Sequence, residues 1–214
     1  MTFSLNELDD KMLKYLNFRN GFFIEAGAND GISQSNTFLY ERNLDWHGLL
    51  IEPNPKKCLQ CKNNRPNSIV ENFALVSHSY VNDFIEGNFD HDTYEDSLMA
   101  MVFDEGDWCD DMSRYYQKLK KENSKTIKVP AITLDKLLEK HNINQKIDFF
   151  SLDVESYEIS VLNGFNIEKF LPTYVLIEAT SVENRKSVIF AHMESRSYKV
   201  IEQLSDNDYL FILK

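Results

Sequence analysis

The sequence predicts an α/β chain, a doubly wound and mostly parallel sheet of the Rossmann-like kind, closed by a C-terminal antiparallel hairpin. Three observations predict it. Short apolar runs alternate with helical patterns along most of the chain, as expected for strands covered on both faces. Residues 21–52 form a strand–turn–helix–strand unit with an acid at the tip of each strand, Glu25 and Glu52. At the other end, two β runs are separated only by Ser205-Asp206-Asn207-Asp208, too short a link for anything but an antiparallel pair.

The elements follow in order. Leu5, Leu8, Met12 and Leu16 recur at helical spacing, so residues 1–20 begin with a helix. Residues 21–28 are the first strand. A helix over 36–43 follows, with Ser35 or Asn36 as its N-cap, and then a second strand over 47–52. Pro55 suits the first turn of a helix that runs to about Asn64. A third strand covers 68–76. Residues 77–126 mix aromatics with acids, and a structureless loop of that length does not suit a compact domain. Hairpin strands are expected at 80–85 and 98–102, with a helix at 112–121. Regular order returns with a strand at 127–133, a helix at 134–141 and a fourth buried strand at 147–152. A helix over 157–162 ends near Gly164. A fifth strand at 174–177, a helix at 183–194 and the β runs 199–204 and 209–213 complete the chain. The expected organisation is one domain, residues 1–214, with a divergent substrate lid at about 77–126.

Composition narrows the function. A chain of 214 residues, 43% hydrophobic, suits one α/β domain with a sizeable core. Its net charge of −11 argues against nucleic acid as a main partner, since phosphates need Lys and Arg to neutralise them. No run reaches the length of a membrane span, and MTFSLNELDD lacks a signal-peptide pattern, so a cytoplasmic location is expected. There are three cysteines. Cys58 and Cys61 fall three apart in a predicted helix, share a face and read as structural, because no second pair completes a zinc site.

The turn after the first strand carries the chemistry. Gly27-Ala28-Asn29-Asp30-Gly31 spaces its glycines G-x-x-x-G, without the third glycine of a dinucleotide fingerprint. Glu25 and Asp30 would repel a pyrophosphate, but they suit a sulfonium and an α-amino group. Glu52 is placed to accept from both hydroxyls of a ribose. A side chain at Gly27 would intrude on the ligand's space. The ligand that fits is S-adenosylmethionine.

The segments EAGANDG, QSNT, IEPNP and IDFFSLDVES, in this order over roughly residues 21–180, resemble the FkbM family of S-adenosylmethionine-dependent methyltransferases. The family writes D-V-E-G where this chain has Asp153-Val154-Glu155-Ser156, so one glycine is replaced and both acids are kept. The resemblance implies a seven-stranded class I methyltransferase sheet in the order 3-2-1-4-5-7-6. The expected cofactor-binding set is Glu25, Gly27, Ala28, Asn29, Asp30, Ser35, Asn36, Glu52, Pro53, Asn72, Phe73, Ala74 and Asp153. It also implies a glycan or secondary-metabolite acceptor.

Methyl transfer to a hydroxyl needs a nucleophile placed about 3 Å from the methyl carbon, and a base for its proton. The fourth strand delivers Asp153 and Glu155, which alternation places on one side. Asp153 is expected to hold cofactor or substrate, and Glu155 to orient the substrate or act as base, unless one of them caps the helix that follows. Glu178, at the end of the fifth strand, is a third converging acid. A divalent cation such as magnesium is a lesser expectation; if one is used, Asp153 and Glu178 are its ligands. His78, His91 and His192 are alternative bases.

The leading expectation is an O-methyltransferase acting on a hydroxyl of a small-molecule or glycan acceptor. A Rossmann-like nucleotide-sugar or dinucleotide oxidoreductase is the alternative from another class, and a non-catalytic binding module on the same fold is a third. Oligomeric state and acceptor identity are not legible in the sequence.

Overall fold

The structure is a computed structural model and describes residues 1–87, 127–179 and 184–214. The expectations for 98–102 and 112–121, His91, Cys109 and most of the expected lid lie outside the described residues. The main sheet has seven strands: β1 (Phe22–Ala26), β2 (His47–Ile51), β3 (Ile69–Glu71), β7 (Phe149–Leu152), β8 (Tyr174–Glu178), β9 (Tyr198–Gln203) and β10 (Asp208–Leu213). Their order is β3-β2-β1-β7-β8-β10-β9, the arrangement implied by the resemblance. The pairs among β3, β2, β1, β7 and β8 are parallel, and β10 runs antiparallel to both β8 and β9. The C-terminal hairpin is therefore present, with its register shifting between Leu210 and Phe211.

Alternation along the strands divides the core between the two faces of the sheet. Phe22 and Ile24 face one way, packing with Phe150, Val175, Ile177 and Phe211. Phe23 faces the other way, with Leu50, Phe149, Leu176 and Leu210. On this second side lie the short N-terminal helices α1 (Leu8–Lys11) and α2 (Leu13–Leu16), α3 (Phe38–Leu44) and α4 (Pro55–Asn64). The N-terminal helix is broken rather than continuous, because Asn6 and Glu7 take left-handed conformations ahead of α1. Leu8, Met12 and Leu16 are buried as their spacing predicts, and Leu5 is exposed. Cys58 and Cys61 are free thiols on the buried face of α4.

Two expectations are corrected. The third strand is not one strand over 68–76. It breaks at Asn72 and Phe73, so β3 stays in the main sheet while β4 (Ala74–Leu75) joins a second sheet. Asn72 pins the break, its Nδ2 donating to the carbonyls of Glu52 and Pro53 at 2.8 Å each. The strand expected at 80–85 is β5 (Phe84–Gly87), and it pairs antiparallel with β6 (Ile127–Ile132). The second sheet is thus β4-β6-β5, with β4 parallel to β6.

The remaining helices are α5 (Leu134–Lys140), α6 (Glu158–Asn163), α7 (Ile167–Phe170) and α8 (Arg185–Ser195). No helix among the described residues is long and apolar enough to cross a membrane.

Candidate functional site

The tips of β1, β2 and β7 are knitted together at their carboxyl ends. The amides of Gly27 and Ala28 donate to the Ile51 carbonyl at 3.0 and 3.1 Å, and the Asp153 amide donates to the Ala26 carbonyl at 3.2 Å. Gly27 has φ +86°, and a Cβ there would stand 1.8 Å from the Asp153 carbonyl oxygen. A glycine is therefore required by the approach of the neighbouring strand end, and not only by space for a ligand.

A cleft opens over these tips. Among the expected cofactor residues, Gly27, Asn29, Glu52, Pro53, Phe73, Ala74 and Asp153 line it, as does Glu155. Glu52 is buried at its floor. It accepts from the Asn29 amide through one oxygen and from the Asn54 amide through the other, both at 2.8 Å. Burial raises its pKa to about 7 against the pull of those two amides. Each oxygen has a further lone pair, so the carboxylate can still receive donors from a ligand. Phe73, Ala74 and Leu75 supply apolar lining to the same cleft. This set fits an adenosine moiety: a carboxylate for paired hydroxyls and a flat apolar surface for a base.

Other expected residues shape the site from behind. Glu25 is buried and receives the Ser35 hydroxyl at 2.9 Å, the Asn36 amide at 2.7 Å and the Thr37 hydroxyl at 2.5 Å. Behind them lies Arg65, fully buried, with Nη1 3.7 Å from Glu25 and Nε donating to Glu41 at 2.7 Å. Its remaining donors reach the Gly31 carbonyl and the hydroxyls of Ser35 and Thr37. Asp30 closes its own turn, accepting from the amides of Ile32 and Ser33 at 2.9 and 2.7 Å. Ala28 is buried in the core beneath. Helix α3 begins at Phe38 with Thr37 as N-cap, two residues later than expected. Ser35 still serves the helix start, since its hydroxyl accepts from the amides of Thr37 and Phe38.

The turn after β7 is tightly built. Glu155 and Ser156 both have positive φ, 52° and 77°. Ser156 stands where the FkbM pattern has glycine, so the serine takes a conformation that glycine adopts without strain. Glu158, and neither Asp153 nor Glu155, accepts from the amides ahead of α6, those of Val154 and Ser156. Arg185 donates to the Ser156 carbonyl at 2.6 Å. Glu155 therefore remains at the cleft wall, where burial and the charges of Asp153 and Glu178 push its pKa up to about 9.

Asp153 stands beside Glu178, one register step beyond the paired Leu152 and Ile177. The two carboxyls hydrogen-bond each other. Burial, followed by the charge of Glu178, holds Asp153 well above the usual carboxylate range. Burial, followed by the charges of Glu158 and Asp208, raises Glu178 to about 7. The pair thus holds one proton between two carboxyls near neutral pH. Among the described residues no group of three or more His, Cys, Asp or Glu is arranged to hold a metal ion. His78 and His192 do not line this cleft.

Sequence reasoning missed several residues. Asn54 lines the cleft and caps α4, its Oδ1 accepting from the Lys56 amide at 2.9 Å. The Asn-Pro step before an apolar-periodic run was the available signal. Gln34, Lys57 and Tyr157 also line the cleft, and they carry no sequence pattern that marks them. Arg65 could not be found from sequence, since its partners lie 24 to 40 positions away along the chain.

The sheet order and the cleft over the tips of β1, β2 and β7 define a Rossmann-like protein of the class I methyltransferase architecture. Residues 25–211 match the family model described as the methyltransferase FkbM domain. The chain belongs to the FkbM family of S-adenosylmethionine-dependent methyltransferases. A crystal structure of an FkbM methyltransferase from Methylobacillus flagellatus is similar to it, with TM-score 0.51 and 14% identity over 90% of this chain. The match covers 43% of that longer protein, so this chain spans under half its length. A precorrin-6y C5,15-methyltransferase from Geobacter metallireducens matches with TM-score 0.48 and 12% identity, covering 96% of this chain and 86% of that one. A search of curated proteins found no match.

Proposed function

We propose that this chain transfers a methyl group from S-adenosylmethionine to a hydroxyl of a sugar or sugar-containing acceptor. When bound, S-adenosylmethionine supplies an electrophilic methyl group. Glu52, Asn29 and the Phe73–Ala74 wall would hold its adenosine part, and Gly27 leaves room for its backbone approach. The observation that carries the reading is that two cavities meet at one acid: Asp153 and Gln34 line both the cleft and a second cavity beside it. An acceptor entering from the second cavity reaches the cleft at Asp153. The Asp153–Glu178 pair then receives the proton of its hydroxyl. A carboxyl titrating near neutrality is well matched to that task. Glu155 orients the acceptor from the cleft side. If a divalent cation takes part, Asp153 and Glu178 are the residues that would hold it, acidifying the hydroxyl.

The oxidoreductase alternative finds less support, since Glu52 already takes the Asn29 amide and Asp30 those of Ile32 and Ser33, the donors that a pyrophosphate would need. The test has two arms. Calorimetry should register binding of S-adenosylhomocysteine, and Glu52→Ala should weaken it by about tenfold or more, the scale of a lost carboxylate hydrogen bond. Labelled methyl transfer to a sugar panel should then fall about a hundredfold in Asp153→Asn, and by a similar factor in Glu155→Gln. Chelator is added in parallel, and unchanged rates there would remove the cation, while a fully active Glu178→Gln would remove Glu178 from both cation binding and proton transfer. Absence of cofactor binding in the wild type would overturn the whole reading.

A further inference from the structure

The second cavity lies beyond Asp153, over the tips of β7 and β8 and beneath the N-terminal segment and the β9–β10 turn. Four acids line it, Asp153, Glu178, Asp206 and Asp208, against one base, Lys11. Three of the acids stand in a row across neighbouring strands. Asp208 is the register partner of Glu178, and Glu178 is hydrogen-bonded to Asp153. Lys11 is already engaged, its ammonium donating to the Leu204 carbonyl at 2.7 Å.

An independent feature points the same way. Asn36 lines this cavity and is 6% exposed. Its Nδ2 donates to the Ser151 hydroxyl at 3.0 Å, while its buried Oδ1 has no hydrogen-bond partner. A buried amide oxygen left without a donor is costly, so the site lacks a donor that a ligand would bring. The side chains of Asn6, Gln34, Ser205 and Asn207, each both donor and acceptor, complete the polar lining, and among its charged groups acids outnumber the one base four to one.

We infer that this cavity binds the protonated amine of the acceptor, so that the methylated hydroxyl belongs to an amino sugar or related amino-polyol. An ammonium group has three donors and a compact charge, which match a carboxylate row and a free amide oxygen. A neutral polyol would satisfy Asn36 but brings no charge to acids that burial and their mutual proximity push towards the protonated form, whereas an ammonium draws them back to the ionised form. A phosphorylated acceptor would be repelled by the same acids. A divalent cation is the chief competitor, but it takes about six or more oxygen ligands in a converging shell.

This inference rests on the proposed methyl transfer, and the experiment separates the two. The full chain is first titrated with S-adenosylhomocysteine alone. The loaded protein is then titrated with glucosamine and 2-deoxystreptamine, with their N-acetylated forms, with glucose and with magnesium chloride. Saturation-transfer NMR serves as a second readout.

Each amine should bind about tenfold or more tightly than its N-acetylated form, the scale of one lost charge-assisted contact. Glu178→Gln and Asn36→Ala should each reduce that preference by several-fold. Asp206→Asn, at the exposed rim, should weaken amine binding and leave S-adenosylhomocysteine binding intact, which certifies the fold. Equal affinity for amine and N-acetylated forms would overturn the inference, as would failure of both amines to bind. Saturable magnesium binding lost in Glu178→Gln, without an amine preference, would also overturn it. Loss of amine preference with intact S-adenosylhomocysteine binding sinks this inference alone. Failure of S-adenosylhomocysteine to bind sinks the methyltransferase reading.

Discussion

The backbone at Gly27 is packed against the carbonyl oxygen of Asp153, so closely that a single added carbon would stand 1.8 Å from it. The residue that turns the chain away from β1 and the acid at the tip of β7 therefore cannot move independently. Gly27→Ala should lower the melting temperature as well as cofactor affinity. The left-handed φ alone costs a non-glycine residue about 1–2 kcal/mol, and a domain of this size loses about 2–4 °C per kcal/mol. Thermal unfolding and calorimetry on one preparation check this. A variant with unchanged melting temperature and weakened binding would show that the glycine serves the ligand alone.

Ser156 offers the opposite sign. It holds φ 77° without the freedom of glycine, while its amide donates to Glu158 and its carbonyl accepts from Arg185. Both contacts use the backbone and survive substitution. Ser156→Gly should raise stability by up to about 1 kcal/mol, the left-handed cost relieved less the added entropy of the unfolded chain. Denaturant titration measures it. A fall in the midpoint would mean that the serine side chain contributes more than its conformation costs.

Arg65 compensates two carboxylates, Glu25 and Glu41, in the layer behind the turn. Arg65→Met should destabilise the protein by about 3–5 kcal/mol, because it leaves buried charge without a partner. Glu25→Gln should cost less, since a glutamine oxygen can still accept some of the donors from Ser35, Asn36 and Thr37. Equilibrium unfolding of both variants tests the order, and a milder Arg65→Met would refute it.

Cofactor affinity should depend on pH through Glu52. Its pKa is about 7 in the folded protein, raised from the ordinary carboxyl range by burial, with Asp30 adding to the rise and Lys57 opposing it. Folding therefore favours the protonated form. The contribution of Glu52 to the stability of the free protein is full below about pH 4.3 and is lost as pH rises through about 7. Ligand hydroxyls that donate to the carboxylate favour the ionised form, so binding releases a proton below pH 7. Affinity for S-adenosylhomocysteine should rise by about tenfold from pH 6 to pH 8, and Glu52→Gln should flatten the profile. A wild-type profile that is already flat would remove ribose recognition from Glu52.

Much of this protein was legible in its sequence because the signals were local. The succession of apolar runs and helical patterns, the G-x-x-x-G turn and the short Ser205–Asp208 link depend on neighbours along the chain, and they determined a mostly parallel sheet, its antiparallel hairpin and the acids at the strand tips, while the strand order was implied by the family resemblance. The break after Glu71 was not legible, since an apolar run reads alike whether it stays in one sheet or crosses to another. Only the tertiary structure decided how the acids divide their work. Glu25, Asp30 and Glu158 spend their oxygens on nearby backbone and side-chain donors, Glu52 takes two backbone amides and still lines the cleft, and Asp153 and Glu155 line it too. A carboxylate's role depends on which donors reach it, and the sheet brings those donors from strands and turns remote in sequence. The same holds for Asp153 and Glu178, which become a proton-sharing pair only because parallel register sets the ends of β7 and β8 side by side.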